Sequence, residues 1–247
     1  MEQVTADSGA NPPQPYREVR AAVLPATIWR VERQAGGSSI DPDGCMDLIW
    51  TGRTLLVAGP DTVANLAATD TTATVTGIRF DPGCAPAVLG VSAADLRDVR
   101  VPARDIWTGN EIERLAERLH ESPTPGADLE RWCAAHTRGV TPEWVGVAVD
   151  ALRAGTSVAD CARTVGMTER SLHRQSLRYF GYGPKTLGRI LRMRSVTALL
   201  STPGAGSLSD VAARCGYADY AHMYREVRAL TGRAPSSHAA GTHVSAL

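Results

Sequence analysis

The chain has 247 residues, enough for two domains of ordinary size, each with its own core. Hydrophobic residues make up 43% and charged residues 21%, the balance of a soluble globular protein, and no apolar run approaches the roughly eighteen residues that would span a bilayer. A formal net charge of zero hides an asymmetry: residues 1–140 carry 13 Lys and Arg against 19 Asp and Glu, residues 141–247 carry 13 against 7, and such a separation of sign points to a nucleic-acid-binding C-terminal half.

Met1 to Pro15 is polar and Pro-rich, with no basic stretch leading into an apolar one, so residues 1–15 read as a flexible tail and not as a secretory signal. Cys45, Cys84, Cys133, Cys161 and Cys215 are dispersed without CxxC spacing, which fits reduced thiols and a cytoplasmic protein. From about Tyr16 to Phe80, runs rich in β-branched and aromatic residues predict strands at Thr27–Val31, Met46–Trp50, Thr54–Ala58 and Thr74–Phe80. Gly36-Gly37, Asp41-Pro42-Asp43-Gly44, Gly59-Pro60-Asp61 and Asp81-Pro82-Gly83 supply the breaks. Short strands at this spacing suggest a small barrel or sandwich.

After Pro86 the pattern turns helical. Ser92 is the N-cap of a helix start with Asp95 reaching back to it. Further helices are expected from about Asn110 to His120 and from Ala127 to Thr137, separated by Ser122 to Gly126. The β-rich domain with its trailing helices spans residues 16–138; those helices suit a spacer or dimer contact as well as packing on the β structure. Arg138-Gly139-Val140 marks the boundary. Thr141-Pro142-Glu143 then opens a helix with a hydroxyl N-cap, Pro at its first position and an acid in its first turn. Val145, Val149 and Leu152 give it an apolar stripe, and Gly155 ends it.

From here one motif is written twice. Ser157 to Gly166 (SVADCARTVG) returns as Ser207 to Gly216 (SLSDVAARCG), and beyond the turn Thr168 matches Asp219, Leu172 matches Met223, Arg174 matches Arg225, Gly181 matches Gly232 and Pro184 matches Pro235. In the first copy Ser157 caps a helix with Val158, Cys161, Ala162 and Val165 inward. Gly166 can take the left-handed conformation that ends it, and Thr168 caps the next helix. The second copy repeats this with Leu208, Val211, Ala212 and Cys215 inward, Gly216 at the turn and Asp219 as cap.

This is helix-turn-helix grammar, in which the N-terminal half of the second helix meets base edges. Leu172 turned inward leaves Arg170, Ser171, His173 and Arg174 outside; Met223 turned inward leaves Tyr220, Ala221, Tyr224 and Arg225 outside. Arginine can give two hydrogen bonds to guanine, worth about 1–3 kcal/mol of discrimination, and Ala221 can offer apolar contact to a thymine methyl. A helix from Lys185 to Leu200 connects the units, spanning about 24 Å at 1.5 Å per residue, compatible with reading sites roughly 34 Å apart. Its Arg189, Arg192 and Arg194 suit phosphate contacts, or ion pairs with acids between the units.

Residues 141–239 resemble the DNA-binding domain of the AraC/XylS family of transcriptional regulators. The resemblance rests on Ala162/Gly166 and Ala212/Gly216, Leu172-x-Arg174, Arg192, Gly216-Tyr217, Met223-x-Arg225 and Gly232-x2-Pro235. It implies seven helices with two helix-turn-helix units, and an α+β multidomain chain in which a β-rich, cupin-like sensor precedes an all-α DNA-binding domain. It implies double-stranded DNA as partner, with RNA polymerase, a small-molecule effector and a second copy of the chain as further partners, no membrane and no enzymatic activity. The family usually has Phe two residues after each arginine, where this chain has Ser176 and Val227; Phe180, Tyr179 or Tyr182 is expected to fill the first unit instead. Residues 240–247 read as a second tail.

The first 119 residues contain no histidine, which argues against a metal-binding cupin; no metal or cofactor is expected. By residue type Trp29, Trp50 and Arg79 are the effector candidates, against the simpler reading that the tryptophans are core and Arg79 pairs with an acid. Three rival functions stay open: an oxidant sensor acting through Cys45 or Cys84, a repair enzyme accepting alkyl groups on one of these thiols, and an architectural DNA protein with little sequence preference. The first lacks an adjacent base, and the second lacks a four-ligand cysteine cluster for zinc.

Overall fold

Residues alternate between apolar partners on two sides along the N-terminal strands, as side chains on successive positions of a strand must. The computed structural model describes residues 16–33, 36–69 and 73–238; the tails expected at 1–15 and 240–247 lie outside the described residues. Strands β1 (Tyr16–Arg20), β2 (Ala26–Arg33), β7 (Ala73–Phe80), β4 (Met46–Trp50), β5 (Leu55–Ala58) and β8 (Arg100–Pro102) lie in that order in one sheet, and β3 (Gly36–Ile40) pairs with β6 (Asn65–Thr69) in a second. Every pairing is antiparallel. On one face of the large sheet, Leu48, Trp50, Val57, Ile78 and Phe80 pack with Val88 and Leu89 of α1 (Ala85–Leu89), Leu115 of α2 (Glu111–Glu121) and Leu129 and Trp132 of α3 (Pro125–Ala135). On the other, Trp29, Val31, Ile49, Ala58 and Val75 pack with Ile40 of the small sheet.

The expected strands therefore exist, with three local differences. Gly36 and Gly37 open β3 instead of forming a break, their backbones pairing with Thr69 and Ala68. Pro125 and Gly126 begin α3, because Pro at a helix start gives up only an amide that would have no partner there; Gly126 is also crossed closely by Ile28. Ser92 does accept a hydrogen bond from the Ala94 amide, but the segment it caps is a single 3-10 turn, Ala93–Leu96.

The C-terminal half folds as α4 (Glu143–Arg153), α5 (Val158–Thr164), α6 (Glu169–Phe180), α7 (Pro184–Leu200), α8 (Leu208–Arg214) and α9 (Tyr220–Thr231), closed by a 3-10 turn at Pro235–His238. The cap of α4 is shifted by one from expectation: Pro142 is the N-cap, and the Thr141 hydroxyl hydrogen-bonds Cys84 of the β-rich half. One core serves this whole half, threaded by Leu187, Ile190, Leu191, Met193 and Val196 of α7. In the first unit Phe180 and Tyr182 are buried, Trp144 stands edge-on to Tyr179 and Phe180, and Ser176 is fully buried.

The two halves touch at close quarters. A Cβ on Gly83 would lie 2.6 Å from both Phe180 and Val145, and one on Gly44 would meet Leu187 at 3.4 Å. At Gly83 the approach is so near that only glycine fits without a shift, whereas at Gly44 the contact is ordinary and the positive φ of +85° is what favours glycine.

Candidate nucleic-acid interface

Each helix-turn-helix unit is positioned by its caps. Ser157 Oγ accepts from the Asp160 amide and Ser207 Oγ from the Asp210 amide, the latter completed as a full capping box by Asp210 reaching back to the Ser207 amide. Gly166 and Gly216 take φ of +67° and +73°, the left-handed turn each unit needs. Thr168 then accepts from the Ser171 amide and Asp219 from the His222 amide, starting two helices of 12 residues each. Both end on a left-handed glycine, Gly181 and Gly232. The extra residue in the second turn is Ala218, which is exposed and leaves the packing intact.

Leu172 and Met223 are fully buried. Around them Arg170, His173, Arg174, Tyr220, Ala221 and Arg225 are exposed, and Ser171 and Tyr224 are half-buried. Two of these are less open than their positions suggest. The His173 ring lies over Gly183, where a Cβ would come within 2.8 Å of Nε2, and the Tyr224 hydroxyl accepts from Arg228 Nη1 at 2.8 Å.

The arginines of α7 have other occupations. Arg189 Nε and Arg192 Nη2 donate to Glu226 of α9 at 3.1 and 2.7 Å, and the Arg192 guanidinium lies 4.7 Å from the Tyr217 ring centre. They tie the second unit to the connecting helix. Glu226 was not among the expected site residues, although its sequence position was informative: it stands with Met223, Val227 and Leu230 on the inward face of α9.

Arg194 points instead to the seam with the β-rich domain. A cavity of about 350 Å³ there is lined by Asp43, Cys45, Arg79 and Pro82 on one side and by Leu191, Arg194 and Ser195 on the other, among others. Of the three effector candidates Arg79 reaches this cavity. Trp29 and Trp50 lie in the packed interior, on opposite faces of the large sheet. Trp29 lies across Gly77, its register partner on β7, and its indole Nε1 donates to Asp47 at 2.7 Å.

Two carboxylates here share one guanidinium: Arg79 Nε lies 3.4 Å from Asp43 and 3.5 Å from Asp47. Burial pushes the Asp47 carboxyl up to about 6, Arg79 opposing the rise and Asp43 adding to it. The folded chain therefore holds this proton up to about pH 6, whereas the unfolded chain releases it near 3.8. The resulting stability is fully present below the lower value and lost as pH rises through the upper one. The thermal midpoint of the parent is accordingly expected to fall more steeply than that of Asp47→Asn between about pH 4 and 7; parallel profiles would show that Asp47 does not titrate in this window.

Burial also raises the thiols of Cys45 and Cys84, the former well above its ordinary value. Oxidant sensing and alkyl transfer both need thiolate, so this environment opposes the chemistry left open at these residues. Among the described residues, no group of three or more His, Cys, Asp and Glu is placed to hold a metal ion, and no helix is long and apolar enough to cross a membrane.

A β-rich domain followed by an all-α domain with two capped helix-turn-helix units defines the class: an α+β multidomain protein with a DNA-binding module at its C-terminal end. Residues 161–240 match the family model described as a helix-turn-helix domain. Residues 21–102 match a second model, described as a domain of unknown function. The chain is similar to a transcriptional regulator with an AraC-type DNA-binding domain from Chromobacterium violaceum, at 25% identity over 39% of this chain and 89% of that one, TM-score 0.37. It is also similar to apo ToxT from Vibrio cholerae, at 10% identity over 89% of this chain and 98% of that one, TM-score 0.49. The wild-type ToxT with unsaturated fatty acid bound gives 10% identity over 87% and 94%, TM-score 0.46. No curated relative matches the chain.

Proposed function

We propose that the protein is a cytoplasmic, sequence-specific transcription regulator that binds double-stranded DNA through residues 141–239 and is controlled by a small-molecule effector through residues 16–138. The observation that carries this reading is the pair of matched arginines. Arg174 and Arg225 occupy the same turn of two equally long, identically capped helices, both are exposed, and neither has an ion-pair partner among the described residues. An arginine so presented has its hydrogen-bond donors available for guanine. Arg170, Ser171 and His173 accompany Arg174, and Tyr220, Ala221 and Tyr224 accompany Arg225; the two sets differ, so the two half-sites differ in sequence. Arg189 and Arg192 are both engaged by Glu226, which leaves recognition to α6 and α9 and phosphate contact mainly to other basic groups.

The seam cavity is the proposed effector site, with Arg79 as its contact from the β-rich domain and Arg194 from α7. A molecule held there touches the helix that joins the two units and can thereby alter DNA binding and the access of RNA polymerase. No catalytic role is assigned to any residue.

A random-sequence DNA selection on the full-length protein tests the reading. It is expected to return a bipartite site with unlike halves about one helical turn apart. Arg174→Ala should relax preference in one half and Arg225→Ala in the other, each by about 1–3 kcal/mol at its base pair. If both variants select and footprint like the parent, α6 and α9 are not the reading helices.

A further inference from the structure

The β-rich domain grips the C-terminal ends of both reading helices. At the end of α6, Arg97 Nη1 donates to the Gly181 carbonyl at 3.4 Å and Ser92 Oγ to the Arg178 carbonyl at 3.5 Å. The approach is close enough that a Cβ on Gly181 would lie 2.6 Å from Pro60 Cγ and 3.0 Å from the Ala93 carbonyl oxygen. At the end of α9, the Ala64 amide donates to the Leu230 carbonyl at 2.7 Å. Just beyond it, Arg233 Nη2 donates to Asp41 Oδ2 at 2.8 Å, with Asp41 nearly buried and His238 Nδ1 3.6 Å from the same oxygen. These carbonyls belong to the last turns of the helices, which have no partner within a helix and accept from outside.

We infer that the β-rich domain is a brace that sets the separation and rotational phase of the two reading helices, making Asp41, Ala64, Ser92 and Arg97 positioning residues for DNA recognition. The inference rests on the reading that α6 and α9 meet DNA. Each is about 18 Å long at 1.5 Å per residue, so a small swing at the gripped end displaces the reading end by a comparable distance. The internal connection between the units is less constraining on its own. Ser201 to Gly206, between α7 and α8, is largely exposed and bends through Gly204 and Gly206 at φ of +80° and +88°. Within the helical domain α9 is held to α7 by Glu226 and by Met223, Val227 and Leu230 in the shared core. Contacts at the helix ends add a restraint from outside that core, and the β-rich domain provides it for both helices at once.

The test uses the full-length protein and its selected bipartite site, with zero, one or two base pairs inserted between the half-sites, and each half-site alone. One inserted pair turns a half-site by roughly 35°. The parent is expected to lose about tenfold or more in affinity on one insertion, the cost of misplacing a base contact. The double variant Asp41→Ala/Arg97→Ala is expected to lose less than about threefold while binding single half-sites within about twofold of the parent. Arg97→Ala alone, at a half-exposed side chain, should give an intermediate spacing penalty and guards against a double variant that fails to fold. If Arg97→Ala and the double variant keep the parent's full penalty, the connecting helix alone sets the spacing and the inference fails. A parent indifferent to insertion overturns it equally. A parent that binds none of these DNAs overturns the DNA-reading assignment itself, a result separable from the other two.

Discussion

Glu226→Ala is expected to destabilise the second helix-turn-helix unit by about 2–3 kcal/mol and to erase preference in the half-site that α9 reads, with the other half-site retained. Glu226 is only 9% exposed and accepts three hydrogen bonds, from Arg189 Nε and from Nε and Nη2 of Arg192. Without it, two guanidiniums are left beside one another with no counter-charge. Breaking a fully buried pair costs about 3–5 kcal/mol, but Arg189 and Arg192 are 35% and 22% exposed, so water recovers part of that. The specificity loss follows from geometry, since Glu226 neighbours Arg225 on the same helix and adds to the shared core the ion pairs that fix that helix against α7. Urea unfolding and a repeat of the DNA selection measure the two effects. Unchanged stability with both halves of the site still selected would mean that the ion pair contributes no more than a surface contact.

Gly59→Ala is expected to be at least as damaging, lowering stability by about 3 kcal/mol or more. A Cβ at this position would fall 1.5 Å from the Leu96 carbonyl oxygen, a backbone atom that no side-chain rotation can move aside. Gly59 donates its own amide to the Val99 carbonyl at 3.0 Å, so the chain segments are locked in register exactly where the extra carbon would intrude. The consequence extends to DNA. Pro60 and the Ala93–Leu96 turn are the two elements that meet Gly181 at the end of α6, and forcing Gly59 from Leu96 separates them. Chemical denaturation should reveal a lowered midpoint, and the spacing preference should relax in parallel. A midpoint equal to the parent's would show that the β5 end can move away from Leu96 at little cost.

The helix-turn-helix units were readable from sequence because their determinants are local. A cap and the amide it accepts from are three residues apart, as with Thr168 and Ser171, and an inward stripe repeats every three or four positions. The strands containing Trp29, Ile49 and Ile78 were readable for the same reason. Strands β1, β3, β6 and β8 were not individually foreseen: Tyr16–Arg20 is mostly charged, Gly36-Gly37 resembles a turn, and Asn65–Thr69 and Arg100–Pro102 have little apolar alternation to identify them. Glu226 offered a signal, a charge on an apolar helix face, which by itself announces a buried partner without saying which one.

Sequence alone determined that this chain carries two unequal helix-turn-helix units on a basic half, with Arg174 and Arg225 on matching turns. Tertiary structure decided which charges remain available to a partner. Arg189, Arg192 and Arg194 look alike as text, yet two share the Glu226 carboxylate and the third faces a cavity against the β-rich domain. It also decided that the two domains meet at the ends of both reading helices, through contacts such as Arg233 with Asp41, 192 residues apart. Caps and periodicity act over a few bonds and leave their mark on neighbouring letters; ion pairs and seams depend on which surfaces packing brings together, and that is set only when the whole chain has folded.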